Sequence, residues 1–439
     1  MKTPICDFLR EYAGLDAVRL HMPGHKGNAD RFDITEIPGA DSLYSADGII
    51  AESERYAGEL FGAKTYYSAE GSSLSIRAML YLASLDARES GRAPLVLAGR
   101  NAHKSFVSGA ALLGLDIEWL PHGDESYLSA RADTAYLDSR LSSSTKPAAV
   151  YLTSPDYLGF TVDISAVSEV CKRHGVLLLV DNAHGAYLKF TTPSRHPIDL
   201  GADMCADSAH KTLPALTGAA YLHISRTAPK ALSQRAREAL ALFGSTSPSY
   251  LILASLDKTN EYLASGFAER LAVFTRRLDL LRDEISSHGY TLVGDEPMKL
   301  TIKSKTYGYT GTELSGLLSE RGIVCDFADP DYVVLMPTPE NSESDLDRLL
   351  SVLRDIKRRE PITNVPPRFS SPREAISPRC AILSPAEELP TDKCEGRILA
   401  ALTVGCPPAV PIAVSGEVID ENAVSAFKYY GINKLAVVK

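Results

Sequence analysis

The sequence predicts an α/β fold with a mostly parallel sheet, and three observations carry that prediction. Strand-like and helical segments alternate between about residues 62 and 225. Val176-Leu177-Leu178-Leu179-Val180 is an unbroken apolar run, as expected of a strand covered on both faces. Polar residues recur at the C-terminal ends of the predicted strands, where open α/β sheets bind their ligands.

Taken in order, residues 1–61 read as an N-terminal arm. It contains His21-Met22-Pro23-Gly24-His25-Lys26-Gly27, a loop because Pro23 and Gly24 interrupt the spacing of the two histidines, and then a helix from Glu52 to Phe61. A large domain spans 62–288. Thr65-Tyr66-Tyr67 is a strand, and Glu70-Gly71-Ser72-Ser73 opens a helix over Leu74–Leu85. The hydroxyls of Ser72 and Ser73 at a helix start suit either a phosphate site or plain N-capping. Pro94–Ala98 is a strand that delivers His103 to a strand-to-helix junction, as a ring that stacks on a flat cofactor or as a surface histidine. Ala148–Leu152 is a strand that ends in Thr153-Ser154-Pro155-Asp156. A helix near Ile164–Arg173 and the strand ending at Asp181 follow, then Met204-Cys205-Ala206 and a returning strand over Gly218–His223. A helix near Ala231–Leu242 and a helical region from Leu251 to about Ser287 close the domain. Residues 289–364 read as a small α/β domain with strands at Leu300–Ile302, Ile323–Cys325 and Val333–Met336 and helices at Glu313–Arg321 and Ser344–Lys357. A Pro- and Ser-rich linker leads to a last unit, 365–439.

A length of 439 residues accommodates these parts. With 45% hydrophobic and 23% charged residues the composition is that of a soluble globular enzyme. A net charge of −9 argues against nucleic acid as a partner. No apolar run is long enough to span a bilayer and the first residues have no signal core, so no membrane association and a cytoplasmic location are expected. Seven scattered cysteines without a C-x-x-C pair indicate neither disulfides nor a metal site, and Cys171 and Cys205 read as core.

The chain centres on Asp207-Ser208-Ala209-His210-Lys211-Thr212-Leu213-Pro214. Lys211 and Asp181 fall on neighbouring strand ends. Such a pair suits pyridoxal 5'-phosphate (PLP), the lysine forming a Schiff base and the aspartate keeping the pyridine nitrogen protonated. A surface lysine and a helix-capping aspartate are the plain alternative.

Asp181-x-x-His184 followed by Ser208-x-His210-Lys211 resembles the fold type I PLP-dependent enzymes, the PLP-dependent transferase-like fold. More narrowly, five segments resemble the Orn/Lys/Arg decarboxylases in its short form: 21–27, Asn101–Ser105, Ser208–Thr217, Ser245–Asp257, and a tail with Pro407-Pro408, Pro411 and Gly416-Glu417. The resemblance implies a carboxy-lyase acting on arginine, lysine or ornithine, a place in polyamine metabolism, and a C-terminal decarboxylase-type domain of α+β structure. It also implies residue roles. Lys211 holds the cofactor, Asp181 pairs with its ring nitrogen, His103 stacks on the ring, and His184 lies near its phenolic oxygen or ring edge. Ser72, Ser73, Ser208 and His210 hold the phosphate. Thr246 and Ser247 reach the phosphate of a neighbouring subunit, so a homodimer with shared sites, or a higher oligomer, is expected. Lys211 or His210 returns a proton to Cα, and Asp156 and Asp326 are candidates for the substrate's distal cation. The sequence departs from the family's pattern at Glu70, Ser75-Ile76, Asn182, Asp156, Gly218 and Asp326. No arginine follows Val333–Met336 to clamp an α-carboxylate in plane, which favours decarboxylation. An aminotransferase or lyase on another amino acid, and a silent PLP-fold protein with a regulatory or assembly role, are the alternatives.

Overall fold

The computed structural model describes residues 1–121, 127–406 and 410–439. Its elements begin with α1 (Pro4–Gly14), α2 (Ile49–Phe61), β1 (Ala63–Ser68), α3 (Ser72–Glu89), β2 (Leu95–Ala98), α4 (Lys104–Leu113) and β3 (Asp116–Trp119). There follow α5 (Thr134–Leu141), β4 (Ala149–Thr153), α6 (Ile164–His174), β5 (Leu177–Asp181), β6 (Met204–Asp207), α7 (Ala209–Thr212) and β7 (Ala220–Ser225). Next come α8 (Lys230–Gln234), α9 (Ala236–Ala241), α10 (Tyr250–Ala264), α11 (Phe267–Ser287), β8 (Leu292–Val293), β9 (Leu300–Lys303) and α12 (Gly311–Ser319). The chain closes with β10 (Phe327–Ala328), β11 (Tyr332–Leu335), α13 (Glu343–Asp355), α14 (Pro378–Leu383), β12 (Ala386–Pro390), β13 (Thr403–Cys406), β14 (Val410–Val414), α15 (Glu421–Tyr429) and β15 (Lys434–Val438).

These elements form two compact units. The first comprises residues 1–96, 134–154 and 163–269, the second 97–133, 155–162 and 270–439. In the first unit the strand order is β1-β7-β6-β5-β4, with the start of β2 beside β4. Strands β4, β5 and β6 run parallel, whereas β7 is antiparallel to both β6 and β1. Every residue of β5 and β6 is buried, which explains why β5 reads as an unbroken apolar run up to Asp181. Helix α6 has ends its sequence supplies: the Asp163 side chain accepts from Ala166 N at 3.0 Å, and Lys172, Arg173 and His174 occupy the last turn.

In the second unit β8–β11 form an antiparallel sheet in the order β10-β11-β9-β8, and β12 pairs with β15 and β13 with β14. Its core gathers Leu158, Phe327, Val334, Leu399, Ile412 and Phe427 among others. Residues Pro361–Pro372 carry no regular element, as their composition predicts. The Pro407-Pro408 pair lies outside the described residues.

Three element predictions need correction. The strand expected at Ile323–Cys325 begins instead at Phe327, which pairs with Val334, and Val324 is 88% exposed. The helix expected over 231–242 is two short helices meeting at Arg235, and that expected over 251–287 is interrupted at Ser265-Gly266. Helices α1 and α5 and strand β3 are additional. Cys171 and Cys205 are core residues, as expected.

Candidate active site

In the first unit the C-terminal ends of β4, β5 and β6 and the turn into α3 converge on one group of side chains. Register sets which of them meet. Residue 181 at the end of β5 lies opposite Thr153 of β4 and Ala206 of β6. Successive residues of a strand face opposite sides of the sheet. Asp181 therefore shares a face with Tyr151, and Asn182 shares the other face with Asp207.

Asp181 is almost wholly buried. Its carboxylate accepts the Tyr151 hydroxyl at 3.1 Å and the Ala183 amide at 3.1 Å. Burial raises its pKa, and the Lys211 ammonium offsets part of that rise. Lys211 sits on the four-residue α7, with its Nζ 3.1 Å from His184 Nε2. His184 is itself buried. A lysine amine, a buried carboxylate that acts on it electrostatically and an imidazole in contact with it thus occupy one site.

The phosphate-type turn lies in the same unit. Gly71 has φ +73° at the start of α3, with open space where a side chain would project. The Ser208 hydroxyl donates to Ser72 Oγ at 2.7 Å, joining two of the hydroxyls predicted to act together. Ser73 stands next to Ser72 in the first turn of α3. Glu70 is exposed and its carboxylate accepts the Ser245 amide at 2.6 Å, so it is engaged by the 245–247 turn. Thr246 and Ser247 are exposed just before α10. His210 Nδ1 is 2.9 Å from the carbonyl of Ala219, and burial, with a smaller push from Lys211, lowers its pKa.

Gly218 departs from the family's pattern for a local reason. It has φ +97°, and a Cβ there would stand 3.0 Å from Ala69 O and 3.2 Å from Ile252 Cδ1. Its carbonyl accepts the Gly71 amide at 2.7 Å. Only glycine combines that backbone angle with so close an approach.

Three predicted residues belong to the second unit. His103 is the N-cap of α4, its Nδ1 accepting the Ser105 amide at 3.2 Å. Asp156 is buried, and its carboxylate is taken up by its own turn, accepting Leu158 N and Phe160 N, each at 2.9 Å. Burial raises its pKa to about 6. Asp326 is exposed and accepts the Tyr157 hydroxyl at 2.9 Å.

Sequence reasoning missed Tyr151, whose one signal is a phenol in an otherwise apolar strand. It also missed what Asn182 and Asp207 do. Asn182 Nδ2 donates to Asp207 Oδ1 at 2.7 Å, and His196 Nε2 and His223 Nε2 stand 3.0 and 3.3 Å from Asp207 Oδ2. Among the described residues these last three are the one group of His, Cys, Asp and Glu close enough to hold a metal ion. In the second unit, Arg100 is buried and binds Glu417 through two bonds of 2.5 and 2.8 Å, with its guanidinium 4.7 Å from the Trp119 ring centre.

The chain resembles known proteins over nearly its full length. It is 28% identical to an arginine decarboxylase of Bacillus subtilis, covering 97% of this chain and 92% of that protein. It is equally identical to an arginine decarboxylase of Halalkalibacterium halodurans, over 96% and 92%. Among solved structures, the constitutive lysine decarboxylase of Escherichia coli superposes with a TM-score of 0.79 at 17% identity, covering all of this chain and 82% of that one. A NifS-like protein superposes with a TM-score of 0.57 at 14% identity, over 80% and 93%. The family model of the Orn/Lys/Arg decarboxylase major domain matches residues 3–288. That family works with PLP, and the donor set present fits it: an amine in Lys211, a buried carboxylate in Asp181 for a pyridine nitrogen, and Ser72 and Ser208 hydroxyls at a helix N-terminus for a phosphate. On the match over 3–288 and the constellation it contains, the chain belongs to the Orn/Lys/Arg decarboxylase family and is a PLP-dependent decarboxylase of basic amino acids.

Proposed function

We propose that the substrate is arginine, converted to its amine and carbon dioxide, with lysine and ornithine as the nearest alternatives. One observation carries the chemistry: Lys211, His184 and Asp181 brought together at the ends of β5 and β6. Arginine is preferred because four of the relatives matched across nearly their whole length are named arginine decarboxylases. Bound PLP supplies the sink for the electron pair left when a Cα bond breaks. Asp181 keeps a proton on the ring nitrogen, and the Tyr151 hydroxyl and Ala183 amide fix where its carboxylate points. Lys211 provides the attachment point, and His184 orients its amine. Ser72, Ser73, Ser208 and His210 take the phosphate, and His103 the ring face. With Nδ1 engaged by Ala219 and its pKa depressed, His210 carries no spare proton near neutrality. Lys211 is therefore the group that returns the proton to Cα.

Asp326 is the carboxylate we assign to the distal cation, being exposed and held by one phenol. Asp156 is not given that role, since its carboxylate serves the 156–160 turn. The segment after β11, Pro337-Thr338-Pro339-Glu340-Asn341, offers no arginine to hold the α-carboxylate in the ring plane. The exposed Thr246-Ser247 turn suits contact with the phosphate site of a second copy, hence a homodimer acting in the cytoplasm. Residues 62–288 would then form the cofactor domain, with 289–364 and 365–439 completing the protomer. The test is to incubate PLP-loaded protein with arginine, lysine, ornithine and non-basic amino acids and identify the amine. Release of agmatine with carbon dioxide is expected. Transamination products, or an amine from a non-basic amino acid alone, would overturn the assignment.

A further inference from the structure

Behind Asp181, on the opposite face of the sheet, lies a wholly buried set of polar groups that the chemistry above does not use. Asp207 ends β6, and its side chain shares a face with those of Asn182, Cys205 and His223 because β5, β6 and β7 are in register there. Four contacts reach the one carboxylate. Asn182 Nδ2 donates to Oδ1 at 2.7 Å, Cys205 Sγ lies 3.8 Å from Oδ1, and His196 Nε2 and His223 Nε2 lie 3.0 and 3.3 Å from Oδ2. Phe61 covers both imidazoles, with ring centres 5.5 and 4.4 Å away.

The far side of His196 settles its tautomer. The Ile198 amide lies 3.4 Å from His196 Nδ1, and Thr65 Oγ1 lies 2.8 Å from His223 Nδ1. An amide can only donate, so His196 Nδ1 accepts and its Nε2–H faces Asp207. Thr65 Oγ1, a hydroxyl, can either donate to or accept from His223 Nδ1. His196 thus presents an N–H to the carboxylate, alongside the Asn182 amide, which speaks for a hydrogen-bonded anion at this place. Burial alone would push Asp207 toward its protonated form, but His196 and His223 outweigh it and hold the pKa well below the usual carboxylate range. Burial also lowers the pKa of His223, against the pull of the Asp207 carboxylate.

We propose that Asp207, held as a permanent anion by His196, His223 and Asn182, is a positioning residue that acts through Asp181 to keep the cofactor's ring nitrogen protonated. The path is short. Asn182 adjoins Asp181 in the chain, and Ala206, next to Asp207, is the register partner of Asp181. A fixed negative charge one sheet thickness away makes any proton shared between Asp181 and the ring harder to remove. In agreement, Asp207 is one of the influences that raise Asp181. The groups facing this pair are Tyr151 and Lys211 on the Asp181 side and His196, His223, Cys205 and Tyr221 on the Asp207 side.

The inference rests on Asp181 being the partner of the ring nitrogen, and the test separates the two ideas. Holoenzyme is rebuilt with PLP carrying nitrogen-15 in the ring, and its NMR signal is followed against pH. Asp207→Asn removes the charge and keeps the shape. It is expected to shift the signal toward unprotonated pyridine and to lower the midpoint by roughly one pH unit. The exchange variant Asn182→Asp/Asp207→Asn keeps one charge and one amide–carboxylate bond, and is expected to restore the wild-type signal. A folded Asp207→Asn holoenzyme with a wild-type signal would overturn the proposal, provided Asp181→Asn strips the ring proton as it should. If Asp181→Asn leaves the signal unchanged, the assignment of Asp181 fails instead. Should Asp207→Asn not fold, the exchange variant decides: a protonated ring supports the proposal and an unprotonated ring overturns it.

Discussion

At the scale of single residues, Asp41 illustrates a contribution that no local motif announces. Its carboxylate accepts the amides of Ser42 at 2.8 Å, Asp47 at 3.1 Å, and Gly48 and Ile50 at 2.9 Å, capping α2 from seven to nine residues upstream. Partial burial works to raise its pKa, but those amides outweigh it and the net shift is downward. A carboxylate with a lowered folded pKa adds stability above its unfolded value near 3.8, and that stability fades as the pH falls through the folded pKa. Asp41→Ala is expected to cost about 1 kcal/mol at neutral pH, a modest figure because the carboxylate is only half-buried. Urea titrations at several pH values check this: the gap between wild type and variant should close in strong acid, and a gap that persists there would contradict it. Lys211 and Asp181 were legible because each ends or follows an apolar strand. Asp207 was equally visible as a letter, but its meaning depends on His196 and His223, which only the folded sheet brings to it.

At the scale of elements, the alternation of strands and helices gave the parallel β4–β5–β6 block directly, since β5 and β6, buried on both faces, are apolar up to their terminal aspartates. Boundaries failed where short polar interruptions decide the matter, as at Arg235 and Ser265, and where an apolar triplet such as 323–325 runs outside any ladder. The second unit is tied internally by Arg100, just after β2, and Glu417, just after β14. Both are almost fully buried, and Glu417 also accepts the Val414 amide at 2.9 Å. Removing one member leaves the other charged and enclosed. Glu417→Ala is therefore expected to destabilise by about 3–5 kcal/mol, whereas Arg100→Met with Glu417→Leu recovers most of the loss. Chemical denaturation of the single and double variants checks this, and equal losses in both would refute it. The Gly416-Glu417 pair was recognised as part of a family pattern, but its partner lies at the other end of the sequence, beyond any periodicity argument.

For the molecule as a whole, cofactor and stability are linked. At a PLP concentration a hundred times Kd, binding to the folded state adds about 2.7 kcal/mol, so wild-type protein should melt well above its own apo form. Lys211→Ala should melt with the apo protein, lose that gain and release no carbon dioxide, and borohydride treatment should leave a pyridoxyl mark on residue 211 of wild type only. A mark on another lysine would refute the assignment. The fold class was readable in the sequence, as were the lysine, aspartate and serine turn that the fold brings into one unit, whereas the internal contacts around them were not. One of those contacts has a consequence for how the protein tolerates change. Because the Gly218 backbone rests on Ala69 and bonds to Gly71, the amine-bearing hairpin and the serine cradle are welded into one piece before any ligand arrives. The relative placement of lysine and serines is thereby set by folding, and in this chain any side chain at 218 would strain the backbone and press on that joint.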